Sequence, residues 1–248
     1  MSDGSSTTAR NQTSLVRSRA SAQCDARLVN LLRPASYEAE QYRCLRQALL
    51  RKLTGGKCNV IAVSSPSPGS GKSTTAINLA AALIEPGIFR VLLIDADLRM
   101  PAVAKQLALA PVTDDGLDTA LADWSLPLRD FVRYVPHPDG LTVLPTAARP
   151  EVAGRLVSSP RFGLLMLEAR QQYDFVIVNT PPLSPTADCR AMAPWIDGFV
   201  IVVTAHRTTR EVLEEGLNLM RPDQVLGLVF SDADRPSPPN KSWFRVRS

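Results

Sequence analysis

Residues 64–75, SSPSPGSGKSTT, constrain this chain more than any other stretch. An apolar run, VIAV at 60–63, precedes them, and AINLAAALI at 76–84, of helical composition, follows. Strand, glycine-bearing turn and helix in that order make a P-loop. Backbone N–H groups of Gly69, Ser70, Gly71, Lys72, Ser73 and Thr74, with the positive end of the helix, surround a polyphosphate. Lys72 reaches the outer phosphates and the Ser73 hydroxyl ligates Mg²⁺. Gly69 and Gly71 let the backbone approach the anion without a Cβ clash. The general spacing GxxxxGK[ST] asks for glycine at position 66, where this chain has Pro66.

A second apolar strand, residues 90–94, runs into Asp95-Ala96-Asp97. Two acids at i and i+2 beyond such a strand sit where α/β sheets bind ligands, outside the carboxyl edge. Beside a P-loop they hold Mg²⁺ through water or accept a proton from an attacking hydroxyl. A third strand within residues 173–182, YDFVIVNTPP, ends at Asn179. P-loop ATPases usually place an aspartate there.

Apolar strands recur at 141–144, 198–204 and 224–230, with helical stretches at 36–53, 150–157, 159–172 and 208–220. Six strands alternating with helices predict an α/β fold, a doubly wound, mostly parallel sheet with helices on both faces. A chain of 248 residues accommodates one such domain plus tails. Residues 1–35 are basic and poor in large apolar side chains and are expected to be disordered, with 28–32 a short docking segment. The domain is expected over 36–234, and the Pro-rich basic residues 235–248 are expected to be a flexible tail.

Charge is uneven. Residues 1–53 hold nine Lys/Arg and four Asp/Glu, residues 54–231 hold 15 and 18, and residues 232–248 hold four and two. The basic ends lack a dense Lys/Arg cluster, so a nucleic-acid partner is not expected. The four cysteines, Cys24, Cys44, Cys58 and Cys189, form no CxxC pair, which argues against a zinc site and suits a reducing cytosol. No apolar run approaches the ~18 residues that span a bilayer. The expected location is cytoplasmic, with recruitment to the inner face of the plasma membrane by a partner. On the 36–53 helix Ser36 is placed to cap, and Tyr42, Leu45 and Leu49 share one face. Glu40, Arg43 and Arg46, three apart, share another, either as an ordinary charged face or as a docking face toward a second subunit.

The strings SSPSPGSGKST, VLLIDADLRMP and YDFVIVNTPP resemble, in this order, the Walker A, A′ and B motifs of bacterial tyrosine kinases (BY-kinases), which accompany capsule and exopolysaccharide synthesis. Glu40-x-x-Arg43-x-x-Arg46 is similar to that family's ExxRxxR oligomerisation motif. The resemblance implies ATP and Mg²⁺ as ligands, Lys72 and Ser73 on phosphates and metal, Asp95 as base for a tyrosine hydroxyl, and Asp97 and Asn179 at the metal. It implies that Glu40, Arg43 and Arg46 join subunits into a homo-oligomeric ring. It also implies a membrane-embedded polysaccharide co-polymerase, on another chain, as activating partner.

Three departures from that family pattern matter. Asn179 removes a charge from the Walker B position, which weakens Mg²⁺-nucleotide binding by roughly 1–2 kcal/mol. The tyrosines are Tyr37, Tyr42, Tyr134 and Tyr173, so the C-terminal tail has no acceptor. Ser231 stands where relatives carry an asparagine that contacts the base. Two readings follow. One is a nucleotide-binding family member that assembles with the co-polymerase with weak or no phosphotransfer. The other is an active protein-tyrosine kinase acting on a partner. A third, a ParA/MinD-type partition ATPase, is disfavoured because the second P-loop lysine of those proteins corresponds to Ser67 here.

Overall fold

Six strands lie parallel in the order β4-β2-β5-β1-β6-β7, where β1 is Asn59–Ser64, β2 Val91–Asp95, β4 Leu141–Leu144, β5 Phe175–Asn179, β6 Gly198–Thr204 and β7 Val225–Ser231. Two short antiparallel strands close the edges, β3 (Arg133–Val135) on β4 and β8 (Phe244–Arg245) on β7. The computed structural model describes residues 24–53, 58–85, 87–135, 140–149, 151–232 and 244–245. The six expected strands are the six parallel ones. The two additional strands have three and two residues, too short to carry an alternating pattern.

The helices are α1 (Val29–Leu32), α2 (Tyr37–Lys52), α3 (Lys72–Ile84), α4 (Val103–Gln106), α5 (Leu117–Ala122), α6 (Ala153–Val157), α7 (Pro160–Gln172), α8 (Asp188–Met192) and α9 (Arg210–Asn218). Side-chain alternation along the central strands divides the core in two. Ile61, Val63, Leu93, Ile177, Val200 and Val202 face α2, α3 and α4. Val60, Ala62, Leu92, Val176, Val178 and Ile201 face α5, α6, α7 and α8. Both faces of the sheet are therefore covered, as a parallel sheet requires.

Helix α3 is buried along all its 13 residues, between the sheet and the α1–α2 layer. Its small residues, Ala76, Ala80, Ala81 and Ala82, let neighbours approach closely. Asn78, fully buried in mid-helix, is satisfied by three partners. Its Oδ1 accepts from Asn30 N at 3.0 Å, and its Nδ2 donates to Arg27 O at 2.9 Å and Thr74 O at 3.0 Å.

That clamp corrects the expected disorder for residues 24–35, within which the expected docking segment at 28–32 is packed against the domain. Residues 24–35 fold onto the domain: Leu28 is fully buried, Val29 and Asn30 are nearly so, and Asp25 N donates to Gln106 O at 2.9 Å. The tail expectation also needs amendment, because residues 244–245 pair with β7 and cover an otherwise open sheet edge. Residues 1–23, the remainder of the tail and Pro150, the first residue of one expected helical stretch, lie outside the described residues. Helix α2 follows expectation, with Ser36 Oγ accepting from Ala39 N at 3.1 Å and Leu45 and Leu49 buried.

Asn78→Ala removes one acceptor and one donor from buried backbone groups of the N-terminal segment. The expected loss is roughly 2 kcal/mol of stability. Limited trypsin digestion should cut after Arg27 faster than in the wild type. Unchanged cleavage would show that the segment is held by packing alone.

Candidate nucleotide site

At the carboxyl ends of the central strands a cleft of about 320 Å³ opens, floored by residues 68–74 of the P-loop. Gly69 and Gly71 have φ of +75° and +85°, in the left-handed region that disfavours any side chain. At Gly71 the turn becomes α3, so the free N–H groups of the first helical turn face the cleft. Ser231 Oγ, at the end of β7, donates to Ser70 O at 2.7 Å and braces the turn from below. Ser231 does not line the cleft. Ser231 is expected among the nucleotide-binding residues, at the position where relatives carry a base-contacting asparagine, and its observed contact is this hold on the loop.

Lys72 and Asp97 meet across the floor, with Nζ 3.0 Å from Oδ2, both groups almost wholly buried. The contact is an ion pair, and Asp97 Oδ2 has no hydrogen-bond partner besides it. Asp97 Oδ1 accepts from Met100 N at 3.0 Å, which fixes the turn after β2. Ser73 and Thr74 line the same floor.

Asp95 and Asn179 lie behind the wall rather than in it. Asp95 is fully buried and receives four donors. Asn179 Nδ2 at 2.7 Å and Asp97 N at 3.4 Å reach Oδ1, and Ala102 N at 3.1 Å and Val103 N at 3.0 Å reach Oδ2. Burial pushes this carboxyl up and outweighs the hydrogen bonds from Val103 and Asn179 that pull it down, leaving it at about 6. The group expected as a base thus has its acceptor positions occupied, and the acid that reaches the cleft is Asp97.

Mg²⁺ needs oxygen ligands and keeps much of its water and phosphate shell. Among the described residues no cluster of three or more His, Cys, Asp or Glu forms a cage. The fitting groups are the Ser73 hydroxyl and Asp97 Oδ2 at the cleft, with Asn179 Oδ1 behind it, a buried oxygen that also lacks a partner. This donor set suits a metal that arrives with phosphates.

Among the lining residues that carry no expectation from sequence are Arg99, Arg27 and Gln106. Arg99 Nε and Nη2 grip Asp188 at 2.6 and 3.1 Å on the β2 side of the cleft. The signal for it was its position two residues after Asp97. Arg27 and Gln106 line the opposite side, and no motif announces either. Glu40, Arg43 and Arg46 lie away from the cleft, at the far end of α3. Arg43 reaches Glu40 at 2.6 Å and Glu85 at 2.8 Å, and Arg46 Nη1 donates to Ala82 O at 2.6 Å.

Fold and cleft together define a P-loop nucleotide-binding domain. A family model described as "CobQ/CobB/MinD/ParA nucleotide binding domain" matches residues 61–241. Tyrosine-protein kinase YwqD of Bacillus subtilis is 33% identical over 184 residues, 74% of this chain and 76% of that protein. The succinoglycan biosynthesis transport protein ExoP of Rhizobium meliloti is 33% identical over 209 residues, 81% of this chain, yet the chain spans only 26% of ExoP. A solved BceF tyrosine kinase domain superposes with a TM-score of 0.70 at 28% identity, over 83% of each chain. The chain belongs to the BY-kinase branch of this nucleotide-binding family.

Asn179→Asp puts a second carboxylate beside Asp95 in place of a donor. Without Mg²⁺ the variant should lose roughly 2 kcal/mol, or about 5 °C in Tm. Mg-ADP should raise its Tm by more than it raises that of the wild type. Equal shifts, measured by thermal unfolding, would remove position 179 from the metal's surroundings.

Proposed function

We propose that this chain is an ATP-binding, BY-kinase-like component of polysaccharide polymerisation and export, working with a membrane co-polymerase on a separate chain and with weak or no phosphotransfer. The single observation that carries the last part is the Asn179–Asp95 pair. In it the expected base is saturated with donors and the Walker B position contributes an amide instead of a charge. The binding half of the site is complete. Turn N–H groups and the end of α3 take the phosphates, and Lys72 exchanges its contact with Asp97 for one with phosphate oxygens. When bound, Mg²⁺ neutralises part of the phosphate charge, with Ser73 and Asp97 on its side of the cleft.

Names among the relatives, ExoP above all, support polysaccharide synthesis as the setting. No helix of the described residues is long and apolar enough to cross a membrane. The α2 face supports assembly. Glu40 is half exposed and Arg43 beside it partly so, which leaves both open to a neighbouring subunit in a ring. The proposed domain limits remain near 36–234, with residues 24–35 added to them.

The test is phosphotransfer beside binding. The purified chain, with the cytoplasmic segment of its co-polymerase and Mg-ATP, should bind nucleotide and yield no phosphotyrosine by mass spectrometry. Lys72→Met should weaken binding at least tenfold, the cost of one charge-assisted contact. Phosphotyrosine on a partner that disappears in Lys72→Met would establish the alternative, an active tyrosine kinase.

A further inference from the structure

The N-terminal segment carries a cation to the nucleotide cleft. Arg27 is on the cleft wall with Gln106, next to Thr74 of the P-loop. Its backbone is fixed, because the Arg27 and Thr74 carbonyls share one donor, Asn78 Nδ2, at 2.9 and 3.0 Å. The neighbouring Asp25 N is tied to Gln106 O, and Leu28 is fully buried. The guanidinium is oriented as well. Nε and Nη2 donate to the two Asp25 oxygens at 2.9 and 2.6 Å. Nη1 donates to nothing among the described residues, and the side chain is 67% exposed. A guanidinium locked along one edge at the lining of a polyanion cleft, with Nη1 unengaged, is pre-organised for phosphate.

Position along the ligand follows from the loop. Lys72 is the residue for the outer phosphates, and its partner Asp97 marks that end. Arg27 sits by Thr74, further along the loop and away from Asp97. We infer that Arg27, positioned by Asp25, binds the inner, ribose-proximal phosphates of the nucleotide, making the segment at 24–32 part of the nucleotide site. This rests on the nucleotide reading above. Because the inner phosphates are common to ADP and ATP, Arg27 contributes equally to both.

The experiment is equilibrium titration of the full chain with fluorescent ADP and with a fluorescent non-hydrolysable ATP analogue, alongside thermal unfolding without nucleotide. Arg27→Ala should weaken both ligands about tenfold. Its Tm without nucleotide should change little, since the side chain is mostly exposed. Asp25→Ala should weaken both ligands by a smaller factor, and Arg27→Lys should recover only part of the loss. Unchanged affinity in Arg27→Ala overturns the inference while leaving the nucleotide site intact. A loss confined to the ATP analogue overturns the placement at the inner phosphates. Absence of binding by the wild type overturns the nucleotide reading, and the inference with it.

Discussion

A buried lysine must have a counter-charge, and in this fold it has one only at the sheet's carboxyl edge. Lys72 is the first residue of α3 and is almost wholly enclosed. Left unpaired there, its charge would cost several kcal/mol, so Asp97 stands 3.0 Å away. Much of the local architecture serves that pair. The turn after β2 is fixed by Met100 N on Asp97, the P-loop is held by Ser231, and the N-terminal segment is fastened to α3 through Asn78. In the proposed nucleotide-bound state an incoming phosphate would offer Lys72 a second anion and release an Asp97 oxygen, the desolvation of the lysine having already been met in folding.

The same edge explains the effect of Asn179. Two carboxylates at hydrogen-bond distance cannot both ionise in a buried site without a cation between them. An amide at 179 removes that conflict. It donates to Asp95 at 2.7 Å and stabilises the site without metal. The consequence is functional. Asp95 becomes part of the scaffold that starts α4, held by the N–H groups of Ala102 and Val103. The cleft is lined by cations from three separate segments, Arg27, Lys72 and Arg99. At the other end of α3, Arg43 and Arg46 gather on Glu85 and the last carbonyls, so one buried helix links the phosphate floor to the proposed assembly face.

Much of this was legible in residue order. Residues 60–75 announce strand, loop and helix because a phosphate site needs all three, and the parallel strands announce themselves as unbroken apolar runs such as VLLID and FVIVN. Illegible parts share one cause, dependence on contacts distant in sequence. Nothing in the composition of residues 24–32 shows that Asn78, some fifty positions on, will hold them to the domain. Strands β3 and β8 are too short to carry a period and exist because longer strands leave edges to cover. Asp95 and Asp97 look equivalent as DxD, yet one points into the scaffold and the other into the cleft, because successive side chains leave a strand end in directions that only packing decides.

The most direct measurement is a crystal structure of the chain with Mg-ADP. The account predicts that Lys72 Nζ moves beyond the ion-pair limit of about 4 Å from Asp97 and contacts phosphate. It also predicts that Asp97 turns toward the metal's water shell while Asn179 stays on Asp95. A Lys72–Asp97 pair still closed beneath bound nucleotide, with the phosphates held elsewhere, would contradict it.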